Sequence, residues 1–229
     1  MPEPGLSPEL LRSLGKLVRG LSALFWGLPI TLLVSVGTLV AGWFNNPLPA
    51  MAGTGLLLYG LWQVSYFQKQ ERPWRLALDH ARLLGMVNFG LSPFLFACQR
   101  IPGQPYYVVA VAVLGLSGLF FLFDLNVVLA RLAAMLPDET LRQETQQFTA
   151  INRTLLVMLL AVVVAYFVAV RMPDLPRTLT AGIEWLNQAK LWSLLMVLVF
   201  FLLLPLSITM ALIWKTKEVI LDSLFSAPH

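Results

Sequence analysis

Charge is scarce in this chain. Asp, Glu, Lys and Arg together make up 12% of its 229 residues, about half the share typical of a soluble domain. So few charges cannot cover a water-facing surface of ordinary composition. Cysteine is scarcer still: Cys98 stands alone, which excludes an internal disulfide and any Cys/His cluster of metal-ligand spacing. Histidine occurs twice, at His80 and His229, and neither lies in an apolar run. Bis-histidine haem ligation between facing membrane helices is thereby excluded. A Walker-type phosphate loop and an HExxH metal site are both missing, so no cofactor and no metal are expected. Met1-Pro2-Glu3-Pro4 lacks a basic start, a short apolar core and a cleavage site, so no cleaved signal peptide is expected.

Apolar sequence fills the space that charge leaves. Hydrophobic residues make up 58% of the chain, and the mean hydropathy is +0.74. They fall into six runs: Leu21–Phe44, Ala50–Phe67, Leu83–Cys98, Tyr106–Ala130, Thr154–Val170 and Leu191–Trp214. A membrane span needs about 20 residues, with a range of roughly 17–25. The third run, with 16 residues, and the fifth, with 17, are marginal alone. Each follows a segment of helical character that can extend it, and a re-entrant segment is the alternative for the third. The expected fold is therefore an all-α, multi-pass transmembrane bundle of about six spans. Residues 1–20 form an amphipathic cytoplasmic segment, 21–214 the membrane domain and 215–229 a cytoplasmic tail.

The basic residues set the orientation. Twelve lie in the N-terminal segment, the second and fourth connections and the tail, against four in the remaining connections. Short cytoplasmic loops carry the excess of Lys and Arg, which places both termini inside. Aromatic residues fit the same frame. Trp43, Tyr106, Tyr107 and Trp192 lie at outer ends, and Tyr66, Trp74 and Trp214 at inner ends. The expected location is the inner membrane of a bacterium. The net charge of +4 is spread over the ends of the runs and forms no patch for nucleic acid.

A shift of 64 residues brings Pro29 onto Pro93, Pro73 onto Pro137 and Asn88 onto Asn152. Ser7-Pro8-Glu9, Arg72-Pro73-Trp74 and Leu136-Pro137-Asp138-Glu139 all read as helix starts, because proline suits the first helical turn and acids favour its dipole. The repeat describes three helical hairpins, each with a cytoplasmic amphipathic start.

Within the runs a few polar residues stand out. Asp124 lies seven residues before Arg131, hence about 10 Å further along the helix. A carboxylate at the bilayer centre costs roughly 2.5–3.5 kcal/mol on insertion scales. It reads either as an ion or proton site or as a polar clamp, with Ser117 on the same helical face and Asn126 directed at another helix. Tyr59, Gln63, Tyr66 and Gln70 follow one another at steps of four, three and four. That stripe lines a pore or, on the simpler reading, a seam between helices. Gly53 and Gly60 form a second stripe, where a neighbouring helix can approach closely. Pro29, Pro93 and Pro205 kink their spans, and nearby Ser and Thr hydroxyls can satisfy the carbonyls they free. Leu141, Thr145, Phe148 and Ile151 form a narrow apolar stripe on a helical extension of the fifth span. Asn152-Arg153-Thr154 matches a glycosylation acceptor but lies on the expected cytoplasmic side, and helix capping accounts for Asp138-Glu139.

Gly115-Leu116-Ser117-Gly118 resembles the GxSG motif of the rhomboid intramembrane proteases, which also place it in the fourth of six spans. The resemblance implies a serine nucleophile, which needs a histidine base on the sixth span. Leu191–Trp214 contains none. At most the chain would be a rhomboid-like pseudoprotease, and small residues at a helix contact explain the tetrapeptide better. No catalytic residues are assigned, and the chain is not expected to be an enzyme. The reading that remains is a non-enzymatic subunit or scaffold of a membrane complex. Its partners would be the lipid bilayer and either other membrane proteins or its own copies. The alternative is a component of a small-solute or ion transporter or channel.

The orientation is open to direct measurement. In a Cys98→Ser background, Gln147→Cys should label with a membrane-impermeant thiol reagent only after the cells are opened. Gly103→Cys should label in intact cells. The opposite pattern would reverse the topology.

Overall fold

The computed structural model describes the backbone of residues 8–68, 70–136, 139–171 and 191–225, together with most of their side chains. Among the described residues all regular structure is helical. Helix α1 (Pro8–Val36) continues into a π-helical turn (Gly37–Ala41), which closes where Gly42 takes a left-handed φ of 59°. It is followed by α2 (Leu48–Val64), α3 (Arg72–Leu91), α4 (Pro93–Arg100), α5 (Pro105–Met135), α6 (Glu139–Arg171) and α7 (Leu191–Phe225). Among the described residues, four helical stretches are long and apolar enough to cross a membrane: Arg12–Ala41, Arg72–Arg100, Pro105–Met135 and Arg142–Ala165. The protein is thus a membrane protein built as a helical bundle.

The two marginal runs gain their length from polar sequence. Helix α3 begins at Arg72 with proline in its first turn, well before the apolar run opens at Leu83. Together α3 and α4 make a 29-residue crossing. The break between them comes from Pro93, whose missing N–H leaves the Phe89 carbonyl without its helical donor. The Ser92 hydroxyl donates to that carbonyl at 2.8 Å, so the kink leaves no orphan there. In the same way, α6 starts at Glu139 and carries the fifth run on a helix of 33 residues. Pro29 and Pro205 remain inside unbroken helices.

Packing is closest between α1 and α2. A Cβ on Gly20 would lie 2.8 Å from the Gly60 carbonyl oxygen, and one on Gly53 would lie 3.0 Å from Thr31 Oγ1. Glycine is needed at these crossings because the two backbones themselves meet. The next large pairing is α3 with α5.

The buried core runs from Leu14 to Leu28 on α1 and continues through Leu61, Trp74, Leu78, Leu125, Leu129, Leu132, Ile213 and Ile220. It occupies the half of the bundle whose end carries Lys16, Arg82, Arg153 and Lys215, called here the basic end. Trp74 belongs to this core. The sequence placed it at the interface, but its side chain is 1% exposed, and Nε1 donates to the Phe67 carbonyl at 3.1 Å. The chain turns back between α2 and α3, and the indole closes that turn from inside. Among the described residues the opposite end has a small cluster of Val34, Ala50 and Leu95 with Phe44, Val111 and Leu114 packed against it, and the side chains from Pro105 to Leu116 are half-buried or exposed.

Helix α6 also rotates away from its expected face. It buries Thr145, Asn152, Leu156 and Leu159 and leaves Phe148 and Ile151 exposed. Leu141 lies outside the described side chains. Asn152 bonds Thr209 and the Pro205 carbonyl of α7 and Glu144 pairs with Lys215, whereas the Thr145 hydroxyl is buried without a partner among the described residues.

A matched pair of substitutions checks the α1–α2 contact. Gly20→Val should lower unfolding stability in detergent by about 1–3 kcal/mol through overpacking. Gly15→Ala meets nothing within 4 Å and should raise it by about 0.5–1 kcal/mol.

Candidate functional site

Helices α3 and α5 run antiparallel with a register set by one polar bond. The Ser117 hydroxyl bonds Asn88 Oδ1, and both residues are buried. Two turns from this pair along both helices, Ala81 comes level with Asp124. His80 of α3 is the titratable neighbour whose charge reaches Asp124. On its other side α5 meets α6, where the Arg153 guanidinium lies 5.4 Å from the centroid of the Phe123 ring. Nearby, Arg82 donates to the Ser65 hydroxyl at 2.9 Å, and Lys16 Nζ sits 3.9 Å from the Tyr66 ring centroid. These groups share one level.

From Pro105 to Asp124 the helix rises about 28 Å, close to the roughly 30 Å of a bilayer's hydrocarbon. Arg153 and Arg82 stand near Asp124's level, and Arg131 lies a further 10 Å or so along α5. Among the described residues Asp124 has no hydrogen bond, and it is half-buried.

Just inside the core at the same level, three helices converge on one hydroxyl. Asn126 of α5 donates to Thr209 Oγ1 at 3.0 Å and to the Leu122 carbonyl at 2.7 Å. Asn152 of α6 donates to Thr209 Oγ1 at 2.9 Å and to the Pro205 carbonyl at 3.1 Å. Thr209 donates in turn to the Pro205 carbonyl at 2.8 Å. A hydroxyl offers one donor and two acceptor positions, and Thr209 uses all three. Both amide nitrogens are likewise fully used, whereas Asn126 Oδ1 and Asn152 Oδ1 are buried without partners. Chemically this is a neutral clamp with two spare acceptors. It holds no ionisable group.

The expected site residues therefore divide. Ser117 joins α3, Asn126 joins α7 and, through Thr209, meets Asn152 of α6, and Asp124 makes no hydrogen bond among the described residues. The tyrosine–glutamine stripe does not line a continuous face. Helix α2 ends at Val64, so Tyr66 and Gln70 lie beyond it, and Tyr59 is 49% exposed. In the GLSG tetrapeptide the serine makes the helix contact, while a Cβ on Gly115 or Gly118 would meet nothing within 4 Å. Asn88, Asn152 and Thr209 were not among the expected site residues. Their signals were present: the two asparagines coincide under the 64-residue shift, and Thr209 sits one helical turn after Pro205.

No protein-family model, curated protein or solved structure matches the chain.

Thr209→Val removes the acceptor shared by both amides. Burying unpaired amide N–H groups costs about 1–3 kcal/mol, and unfolding in detergent should show a loss of that size. Thr209→Ser should recover most of it.

Proposed function

We propose that this protein is a non-enzymatic subunit or scaffold of a membrane complex, in a bacterial inner membrane with both termini in the cytoplasm. On this reading α2 and α7 complete six crossings, and the excess of basic residues at one end supports the orientation. The observation that carries the reading is the bareness of α5 away from the basic end. Over Pro105–Leu116 no side chain is buried, and Gly115 and Gly118 offer open space to an approaching backbone. Small residues on a membrane helix mark places where another helix can come close, and among the described residues nothing lies within 4 Å of a Cβ built at either glycine. The packed basic half then anchors the subunit, and the open half presents a contact face.

The polar groups support this reading more than transport. Asn126, Asn152 and Thr209 bond helix to helix, as do Ser117 and Asn88. In the other half the Thr38 hydroxyl is satisfied by the Val34 carbonyl, and Thr54 bonds the Ala50 carbonyl and Ser92, so these groups serve packing, and among the described residues no ionisable side chain is buried.

Purification in a mild detergent should recover stoichiometric partners. Gly115→Leu and Gly118→Leu each fill space that is empty within the chain, so the fold should persist while partner recovery drops several-fold. Isolation of the wild type as a lone monomer, or unchanged recovery with both variants, would overturn the proposal.

A further inference from the structure

An apolar groove opens between α5 and α6, lined by Leu119, Phe120, Phe123, Leu156, Val157 and Leu160. Its end at the membrane edge is closed by Arg153, whose guanidinium lies 5.4 Å from the centroid of the Phe123 ring. We infer that this groove holds one acyl chain of an anionic phospholipid, whose phosphate is bound by Arg153.

Charge and position favour this occupant. The contact with Phe123 is a cation–π contact at 5.4 Å from the ring centroid; it satisfies none of the guanidinium's N–H donors, and that fork suits a phosphate in a way an ammonium does not. The nearby carboxylates are engaged elsewhere. Glu144 pairs with Lys215, Glu139 with Arg142 and Asp79 with Arg82, and among the described residues Asp124 makes no ion pair with Arg153. Among the described residues Arg153 has no acidic partner, and it is exposed. From Arg153 to Leu160 the groove follows α6 for about 10 Å, against roughly 15 Å for the hydrocarbon of one leaflet. A headgroup at the guanidinium thus sets the first two-thirds of its chain against protein. The wall is part of the bundle: Leu156 is 3% exposed and Val157 54%, so the helix offers a fixed ridge on one side and an open flank on the other.

The test uses the full-length protein, delipidated in detergent. It is then titrated with phosphatidylglycerol, with phosphatidylcholine of the same chains, or with glycerol phosphate alone, and retained lipid is counted by native mass spectrometry. Wild type should retain phosphatidylglycerol several-fold better than phosphatidylcholine and should not retain glycerol phosphate. Arg153→Gln should lower phosphatidylglycerol retention by roughly five-fold, the scale of one interfacial cation, and Arg153→Lys should restore only part of it. Val157→Trp should block the groove and reduce both lipids, whereas Arg142→Gln should change neither. Equal retention of the two lipids by wild type would overturn the inference, as would an Arg153→Gln protein that holds phosphatidylglycerol like wild type. Retention of glycerol phosphate alone would assign the site to free anions. Because Arg153 is exposed, its variants keep the test valid even if Val157→Trp fails to fold.

Discussion

One oxygen atom holds three helices of this bundle together. In hydrocarbon a polar group left without a partner has no water to turn to, and Thr209 Oγ1 serves two amides and one carbonyl at once. Through it α5, α6 and α7 are held at one relative height and one relative rotation. The rotation of α6 shows the consequence. Its Asn152 faces inward onto Thr209 and the Pro205 carbonyl, while Phe148 and Ile151 stay exposed, the reverse of what apolarity alone dictates.

The same reversal explains what was legible in the sequence. Run length and basic-residue placement depend on the bilayer's thickness and charge asymmetry, which act on each helix separately, so the membrane bundle could be read directly. The extension of the third crossing back to Arg72 was legible too, because proline in a first helical turn is a local signal. Trp74 was misplaced because its burial depends on where the α2–α3 turn folds, which no local pattern reports. Asp124 was placed by its distance along the helix from Arg131; that Arg153 and Arg82 stand near its level depends on how α3, α5 and α6 pack, which no local pattern reports. The Asn126–Asn152–Thr209 junction joins residues up to 83 positions apart. Each residue alone looked like one more polar exception within an apolar run.

The two halves of the bundle also differ in kind. Near the basic end, leucines from α1, α2, α3, α5 and α7 interlock around the polar junction, and glycines bring α1 and α2 into backbone contact. Away from it, α5 is covered more thinly: Val111 and Leu114 pack against Leu95 and its neighbours, while Val108, Val109 and Val113 are exposed. The division follows composition. Leucine and asparagine supply bulk and bonding where helices must be fixed, whereas valine and glycine provide a smoother surface with few neighbours among the described residues.

The shortness of α2 has a consequence for the lipid around it. Its 17 residues span about 25 Å, whereas α5, with 31, spans about 46 Å. Helix α2 is pinned to α1 by glycine contacts and cannot slide to compensate. Its outward surface carries Trp62 and Tyr59, 61% and 49% exposed, near the basic end. On the proposed six-crossing reading, lipids beside it would meet a hydrophobic belt several ångströms thinner than the average bilayer, and would shorten or tilt to match it. Such mismatch costs fractions of a kcal/mol per ångström. That flank would then act as a built-in dimple, drawing the protein towards thin membrane and towards neighbours that share the same deformation.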